Sequence, residues 1–123
     1  MSQSNYFGER TFIAGADLTS SKYCLVKLHT DGTVIVATAN TDNIVGVLQN
    51  KPASGENALV RFKGTSKVKT GGAISIGAWV SATTAGAGVA VAADRKVALG
   101  RALEAADSGD VIEVQLGIFT TSI

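Results

Sequence analysis

ALGRALEAA, residues 98–106, is the stretch that decides the fold class, because it fits either a helix or a strand. It is rich in good helix formers, and Leu99 and Leu103 have the i,i+4 spacing of one helical face. IVGVL, residues 44–48, has a glycine at the same position but is rich in β-branched residues, which favour strands. The assignment therefore depends on whether the two stretches are equivalent.

An internal repeat indicates that they are. A shift of 54 residues places Gly46 on Gly100, and it superposes the loop motifs Ser54-Gly55-Glu56 and Ser108-Gly109-Asp110. The residues with an identical type 54 positions later are Ser21, Val26, Gly32, Ala39, Gly46, Ser54, Gly55 and Val60. Both stretches are thus predicted to be strands. A glycine inside a strand is typical of a bulge or a close backbone approach, which we expect at Gly46 and Gly100.

The rest of the chain has the pattern of an all-β protein. Short apolar runs between turn residues predict strands at residues 11–14, 23–28, 34–37, 44–48, 58–62, 78–82, 89–92, 97–103 and 111–116. Asp31-Gly32 predicts a tight hairpin turn. In the last strand, residues 112, 114 and 116 are apolar and residues 113 and 115 are polar, so one face is expected to be wet. These features predict a small barrel-like or sandwich domain built from two related β units.

The 123 residues suit one domain, which we place at 10–123 after a flexible N-terminal arm at 1–9. The arm begins with the polar residues Ser2, Gln3, Ser4 and Asn5, followed by the aromatic residues Tyr6 and Phe7. Aromatic side chains on a polar segment suit docking to a partner, whereas folding back onto the domain is the alternative.

Charge and hydropathy exclude several classes of partner. Lys and Arg number 11 and Asp and Glu number 10, which argues against nucleic acid as a partner. No apolar run reaches the roughly 18 to 20 residues of a membrane span. Because the start of the chain does not resemble a secretory signal, we expect synthesis in the cytoplasm.

The residues of common catalytic and metal sites are scarce. The chain has one histidine, His29, and one cysteine, Cys24, so neither a zinc cluster nor a His-x-x-x-His pair can form within it. His29 precedes the hairpin turn and is expected to be solvated, and Cys24 is expected to be a buried structural thiol. We therefore expect no enzymatic activity and no cofactor.

Two further features suit binding. Arg61, Lys63, Lys67 and Lys69 form the densest basic cluster, and strand alternation places Arg61 and Lys63 on one face and Lys67 and Lys69 on another. This cluster fits an acidic partner surface or an ordinary solvated face. The single tryptophan, Trp79, fits the core or the mouth of the fold better than a ligand platform.

The order of these features resembles the capsid-cement family of tailed-phage head decoration proteins. The resemblance covers residues 10–117 and rests on Gly46-Val47 leading to Gly55-Glu56, on Gly77-Ala78-Trp79-Val80, and on the C-terminal pattern from Gly100 through Gly109-Asp110 to Leu116. The chain departs from the family at Ser21-Lys22, where members often have a glycine, and in its tail at residues 118–123.

The resemblance implies a structural protein of the virion that binds the outer surface of a phage head and stabilises the shell. Its implied partner is the major capsid protein, bound by a homotrimer. The expected capsid contacts are the arm residues Ser2, Gln3, Ser4, Asn5, Tyr6 and Phe7 together with Arg61 and Lys63. Two alternatives stay open, a phage tail or baseplate β module and a small ligand-binding β-barrel.

Overall fold

The computed structural model describes residues 8–38, 43–82, 86–90 and 97–120. These ranges form ten strands and no helix, which confirms the all-β prediction. The strands are β1 (Glu9–Ile13), β2 (Leu25–Leu28), β3 (Val34–Val36), β4 (Ile44–Leu48), β5 (Asn57–Arg61), β6 (Gly64–Lys69), β7 (Trp79–Ala82), β8 (Gly88–Ala90), β9 (Val97–Ala102) and β10 (Val111–Thr120). Within the described ranges, no helical segment has the length and apolar character needed to span a membrane.

The strands form two antiparallel sheets with the same topology. The first sheet has the order β1-β5-β4-β2-β3, and the second has the order β6-β10-β9-β7-β8. Each strand of the first sheet thus has a counterpart five strands later. We call β1 to β5 the first unit and β6 to β10 the second unit.

Strand registers confirm the repeat. The pair Val26↔Gly46 of the first unit becomes Val80↔Gly100 in the second, which is the shift of 54 residues found in the sequence. The first strands of the two units differ, because Glu9↔Arg61 corresponds to Thr65↔Gln115, a shift of 56 on β6 and 54 on β10. The second unit therefore contains two extra residues between β6 and β7.

Gly46 and Gly100 lie where two backbones approach closely, as predicted. A Cβ atom on Gly46 would overlap the carbonyl oxygen of Arg61 on the neighbouring strand. The same atom on Gly100 would overlap the carbonyl oxygen of Gln115. Because the obstacle is backbone in both units, a side chain at either position has no rotamer that avoids it.

The two sheets pack as a sandwich and do not form one closed barrel. Seven buried residues of the first unit form a cluster of their own: Ala14, Leu18, Val26, Val34, Leu48, Ala58 and Val60. The larger cluster joins the units, since it combines Leu25, Ala37, Ile44 and Val47 with the buried residues of the second unit. Both faces of the first sheet are therefore covered by apolar side chains, and the burial of Leu25 and Val47 holds the units together.

The observed strands differ from the predicted ones in three places. The structure adds β6, which was not among the predicted strands, and extends β10 to Thr120. Glu9, predicted to belong to the arm, lies in β1. The remainder of residues 98–106 after β9 is not helical, so the strand interpretation of this stretch is confirmed.

We expect Gly100→Ala to lower the free energy of unfolding by about 3 kcal/mol or more, because the new methyl group must displace the backbone of β10. The matched control is Gly72→Ala, whose Cβ would lie 3.4 Å from Val89 Cγ1 at an ordinary backbone conformation. It should change the free energy by less than about 0.5 kcal/mol. Chemical denaturation measures both, and equal effects of the two substitutions would contradict the close approach.

Candidate functional site

An ion pair marks the place where the N-terminal arm joins the first sheet. Glu9 of β1 lies opposite Arg61 of β5, and its Oε2 accepts hydrogen bonds from Nη2 at 2.6 Å and from Nε at 2.8 Å. Arg61 Nη1 also donates to the carbonyl oxygen of Thr65 at 3.1 Å. Bidentate pairing of this kind fixes geometry as well as charge. Arg61 thus connects β1, β5 and the start of β6.

The residue before this pair lies against Lys63. The Phe62 N–H donates to the carbonyl of Gly8 at 2.8 Å, and a Cβ atom on Gly8 would lie 2.6 Å from Lys63 Cβ. Lys63 itself is exposed. We call Gly8, Glu9, Arg61 and Lys63 the arm root, because the chain enters the first sheet there.

The arm root brings together several of the residues singled out in the sequence. Arg61 and Lys63 lie beside the point from which the arm extends, whereas Ser2, Gln3, Ser4, Asn5, Tyr6 and Phe7 lie outside the described residues. Arg61 and Lys63 do not share one strand face, because β5 ends at Arg61 and Lys63 lies in the connection to β6. That part of the sequence interpretation was wrong.

Lys67 and Lys69 lie on the exposed face of β6. They alternate with the buried residues Ser66 and Val68, as strand alternation predicted. Lys67 is directly opposite Glu113 of β10, which lowers the positive charge of this face. The exposed lysine of the arm root is therefore the better candidate for contact with an acidic partner.

Trp79 lines a shallow pocket on the second sheet. The Arg101 guanidinium lies over its ring, with Cζ 4.3 Å from the centroid, and Gln115 and Leu116 complete the lining of a volume of about 170 Å³. The ring is half-buried, as expected for a residue at the mouth of the fold. Sequence reasoning missed the Trp79–Arg101 pair, although the repeat could have revealed it through the first-unit pair Leu25↔Val47.

The chemistry of the described residues is limited. His29 is exposed in the β2–β3 turn, with Nδ1 at 3.3 Å from Asp31 Oδ1. Hydrogen bonds from the Thr33 hydroxyl and backbone N–H lower the pKa of Asp31, so it stays ionised at neutral pH. Among the described residues, no three or more His, Cys, Asp or Glu side chains come together as a metal site would require.

Cys24 is only 6% exposed and lies immediately before β2. Burial raises the pKa of its thiol above the ordinary value, so the reactive thiolate is scarce at neutral pH. The prediction of a buried thiol is confirmed.

We expect Cys24→Ser to cost about 1 to 3 kcal/mol of stability, because the serine hydroxyl is buried without an assured hydrogen bond. Assembly on capsids should be unaffected. Thermal unfolding measures the first effect and capsid co-sedimentation the second. A stable variant that no longer assembles would instead indicate an intermolecular disulfide.

Comparison with known proteins agrees with this surface chemistry. Residues 11–118 match the family model for phage cement proteins. The crystal structure of the head fiber gp8.5 N base in bacteriophage phi29 has a similar fold, with a TM-score of 0.69, 18% sequence identity, and coverage of 94% of this chain and 98% of that chain. No curated protein matches the sequence. Because the family model spans most of its length, the chain belongs to the phage cement protein family and is a structural protein that decorates the capsid.

Proposed function

We propose that the protein binds the major capsid protein on the outer surface of the phage head as a homotrimer, and that this binding stabilises the shell. The observation that supports the site is the arm root. It places Lys63 beside Gly8, where the arm begins, and it ties Glu9 to Arg61, which is 52 residues away in sequence. The predicted contact residues therefore belong to one surface rather than to two.

The two basic residues of the arm root have different roles in this proposal. The charge of Arg61 is compensated by Glu9, and its hydrogen bonds hold the first strand in place. Arg61 thus positions the arm relative to the sheet. Lys63 is exposed, and its ammonium group meets acidic side chains of the capsid.

The arm alone provides a weak attachment. Burial of Tyr6 and Phe7, at about 200 Å² each, contributes roughly 10 kcal/mol at most. Ordering seven backbone residues costs on the order of 7 to 14 kcal/mol. Attachment therefore also needs backbone hydrogen bonds, such as those of a strand added to a capsid sheet edge, and the avidity of several linked copies.

The other assignments follow from the same surface. A head location rather than a tail location is supported by the similar fold of a phage head fiber base. The pocket at Trp79, at about 170 Å³, is smaller than the roughly 300 to 1,000 Å³ of typical ligand sites, which disfavours a ligand-binding barrel. We propose a protein without enzymatic activity or cofactor that does not bind nucleic acid, is made in the host cytoplasm and resides in the virion.

We expect deletion of residues 2–7 to weaken capsid binding by about tenfold or more while leaving thermal unfolding unchanged. The deletion stops before Gly8 because the Glu9–Arg61 ion pair belongs to the folded domain. Co-sedimentation with capsids that lack the protein measures binding, and calorimetry measures unfolding. A large loss of stability would show that Tyr6 and Phe7 belong to the core of the domain.

Two point variants separate the arm from the sheet surface. Lys63→Glu should weaken binding, and the effect should diminish at high salt because it is electrostatic. Lys51→Glu, also at an exposed lysine of the first unit, is the control and should bind normally. If the deletion binds normally and Lys63→Glu does not, the sheet surface carries the attachment and the proposed role of the arm is wrong.

We expect a cryo-electron microscopy reconstruction of the virion to show three copies around a capsid three-fold or quasi-three-fold axis. Matching of symmetry gives each copy an equivalent capsid contact. Single copies at positions unrelated to a three-fold axis would contradict the trimer.

A further inference from the structure

The two units of the chain contact each other head to tail. The first unit contributes one surface and the second unit contributes a different one, although their folds are equivalent. Three hydrogen bonds define the contact: Leu25 N–H to the Gly86 carbonyl at 2.8 Å, Lys69 N–H to the Tyr23 carbonyl at 2.9 Å, and Gln49 Nε2 to Ser66 Oγ at 2.8 Å. Leu25 and Val47 are fully buried in this contact.

The repeat gives every surface in this contact a counterpart elsewhere on the molecule. We call the surface of Tyr23, Leu25, Val47 and Gln49 the receiving surface, and that of Ser66, Lys69, Ala82 and Gly86 the inserted surface. The receiving surface has its counterpart on the second unit, and the inserted surface has its counterpart on the first unit. Neither counterpart is covered by its own chain.

The counterpart of the receiving surface is open. Leu25 and Val47 correspond to Trp79 and Arg101, which border the shallow pocket of the second sheet. Gln49 corresponds to Leu103, which is an exposed apolar side chain at 41%. A surface that is buried in one unit is thus partly apolar and exposed in the other.

The counterpart of the inserted surface is open as well. Ala82 is 3% exposed, whereas its counterpart Leu28 is 40% exposed. A Cβ atom on Gly86 would meet the first unit, whereas one on Gly32 would meet nothing within 4 Å. Lys69 corresponds to Ile13, also an exposed apolar residue.

Most of the exposed apolar residues thus fall on these two surfaces or beside them. The large apolar side chains exposed in the described ranges are Ile13, Leu28, Ile76, Leu103 and Val111. Ile13 and Leu28 lie on the first of the two open surfaces, and Leu103 lies on the second. Exposed apolar residues concentrated in this way mark an interaction surface.

We propose that copies of this chain associate head to tail, with Ile13, Leu28 and the Gly32 turn of one copy seated on Trp79, Arg101 and Leu103 of the next. The contact between copies repeats the contact between units within the chain. It deepens the proposed homotrimer by stating which surfaces join. A heterologous contact of this kind closes into a ring when its rotation divides a full turn.

Charge favours the same arrangement. Asp31, beside Gly32 at the tip of the turn, is exposed and ionised, and it uses Oδ1 for its hydrogen bonds to Thr33. Arg101 is exposed at the centre of the opposite surface. A turn that approaches Arg101 in the way that Gly86 approaches Leu25 brings a carboxylate to a guanidinium, which favours the head-to-tail orientation.

Three exposed apolar residues provide a matched set of substitutions. Leu28→Asp and Leu103→Asp each damage one side of the proposed contact, and Val111→Asp is the control at a residue that is 49% exposed and whose counterpart, Asn57, is exposed too. Sedimentation equilibrium should show at least a tenfold higher dissociation constant for the first two variants and no change for the control. Equal behaviour of all three variants would overturn the proposal.

Mixing the two damaged variants distinguishes this contact from a symmetric one. Leu28→Asp keeps an intact Trp79 surface, and Leu103→Asp keeps an intact turn surface, so a mixture can form one sound contact. We expect each variant alone to be monomeric and the equimolar mixture to form dimers without larger species. A mixture that stays monomeric, or that restores the full assembly, contradicts a head-to-tail contact.

The outcome is separable from that of the proposed function. A wild-type chain that stays monomeric up to about 1 mM overturns the head-to-tail contact even if capsids bind it. A trimer on capsids that tolerates Leu28→Asp and Leu103→Asp leaves the proposed function intact and refutes these surfaces. Loss of the three-fold arrangement on the capsid by the wild-type protein contradicts the trimer itself.

Discussion

The burial of Leu25 and Val47 of the first unit beneath the second unit is the contact on which the rest of the structure depends. A single five-stranded sheet of this size leaves one of its faces in water, and an apolar residue on that face gains nothing from folding. Stacking the second unit on that face buries it. The same step makes the units unequal, because the second unit has no third unit to cover its own equivalent face.

The sequences of the two units reflect this inequality. The row of residues across the first sheet is Glu9, Arg61, Val47 and Leu25, and the corresponding row across the second is Thr65, Gln115, Arg101 and Trp79. The covered row has apolar residues at its centre, and the exposed row has residues with polar ends. Trp79 and Arg101 suit a surface that is wet in the single chain and contacted in an assembly, since both have apolar bodies that can be buried.

Much of this fold could be predicted from the sequence, because its strongest signals are local. Asp31-Gly32 specifies the first hairpin, and the glycines at 46 and 100 mark the close approaches without any knowledge of the partner strand. β6 was missed because its buried positions are occupied by Ser66 and Thr70 as well as Val68, so the apolar alternation of a strand is weak there. Polar residues replace apolar ones where a side chain meets the neighbouring unit, as Ser66 does with Gln49.

The candidate site was harder to predict than the fold, because it depends on register. Arg61 was singled out from the sequence for its charge, but its pairing with Glu9 follows from the alignment of β1 with β5, which no local pattern encodes. The pairing changes the role of Arg61 from a contact residue to one that holds the strand next to the arm. Lys63, one step beyond the end of β5, keeps its charge exposed at the same place.

The arm root and the open surfaces explain how a weakly bound arm can hold a protein on a capsid. One arm is near energetic balance on its own, but copies joined through a separate surface bind as a unit, and each further arm then binds at a high local concentration. Such avidity requires that the contact between copies and the contact with the capsid use different residues. The structure meets this requirement, since the arm root ends at Glu9 and Lys63, whereas the head-to-tail contact uses the Gly32 turn and the Trp79 surface. Assembly and attachment can therefore strengthen each other without competing for the same side chains.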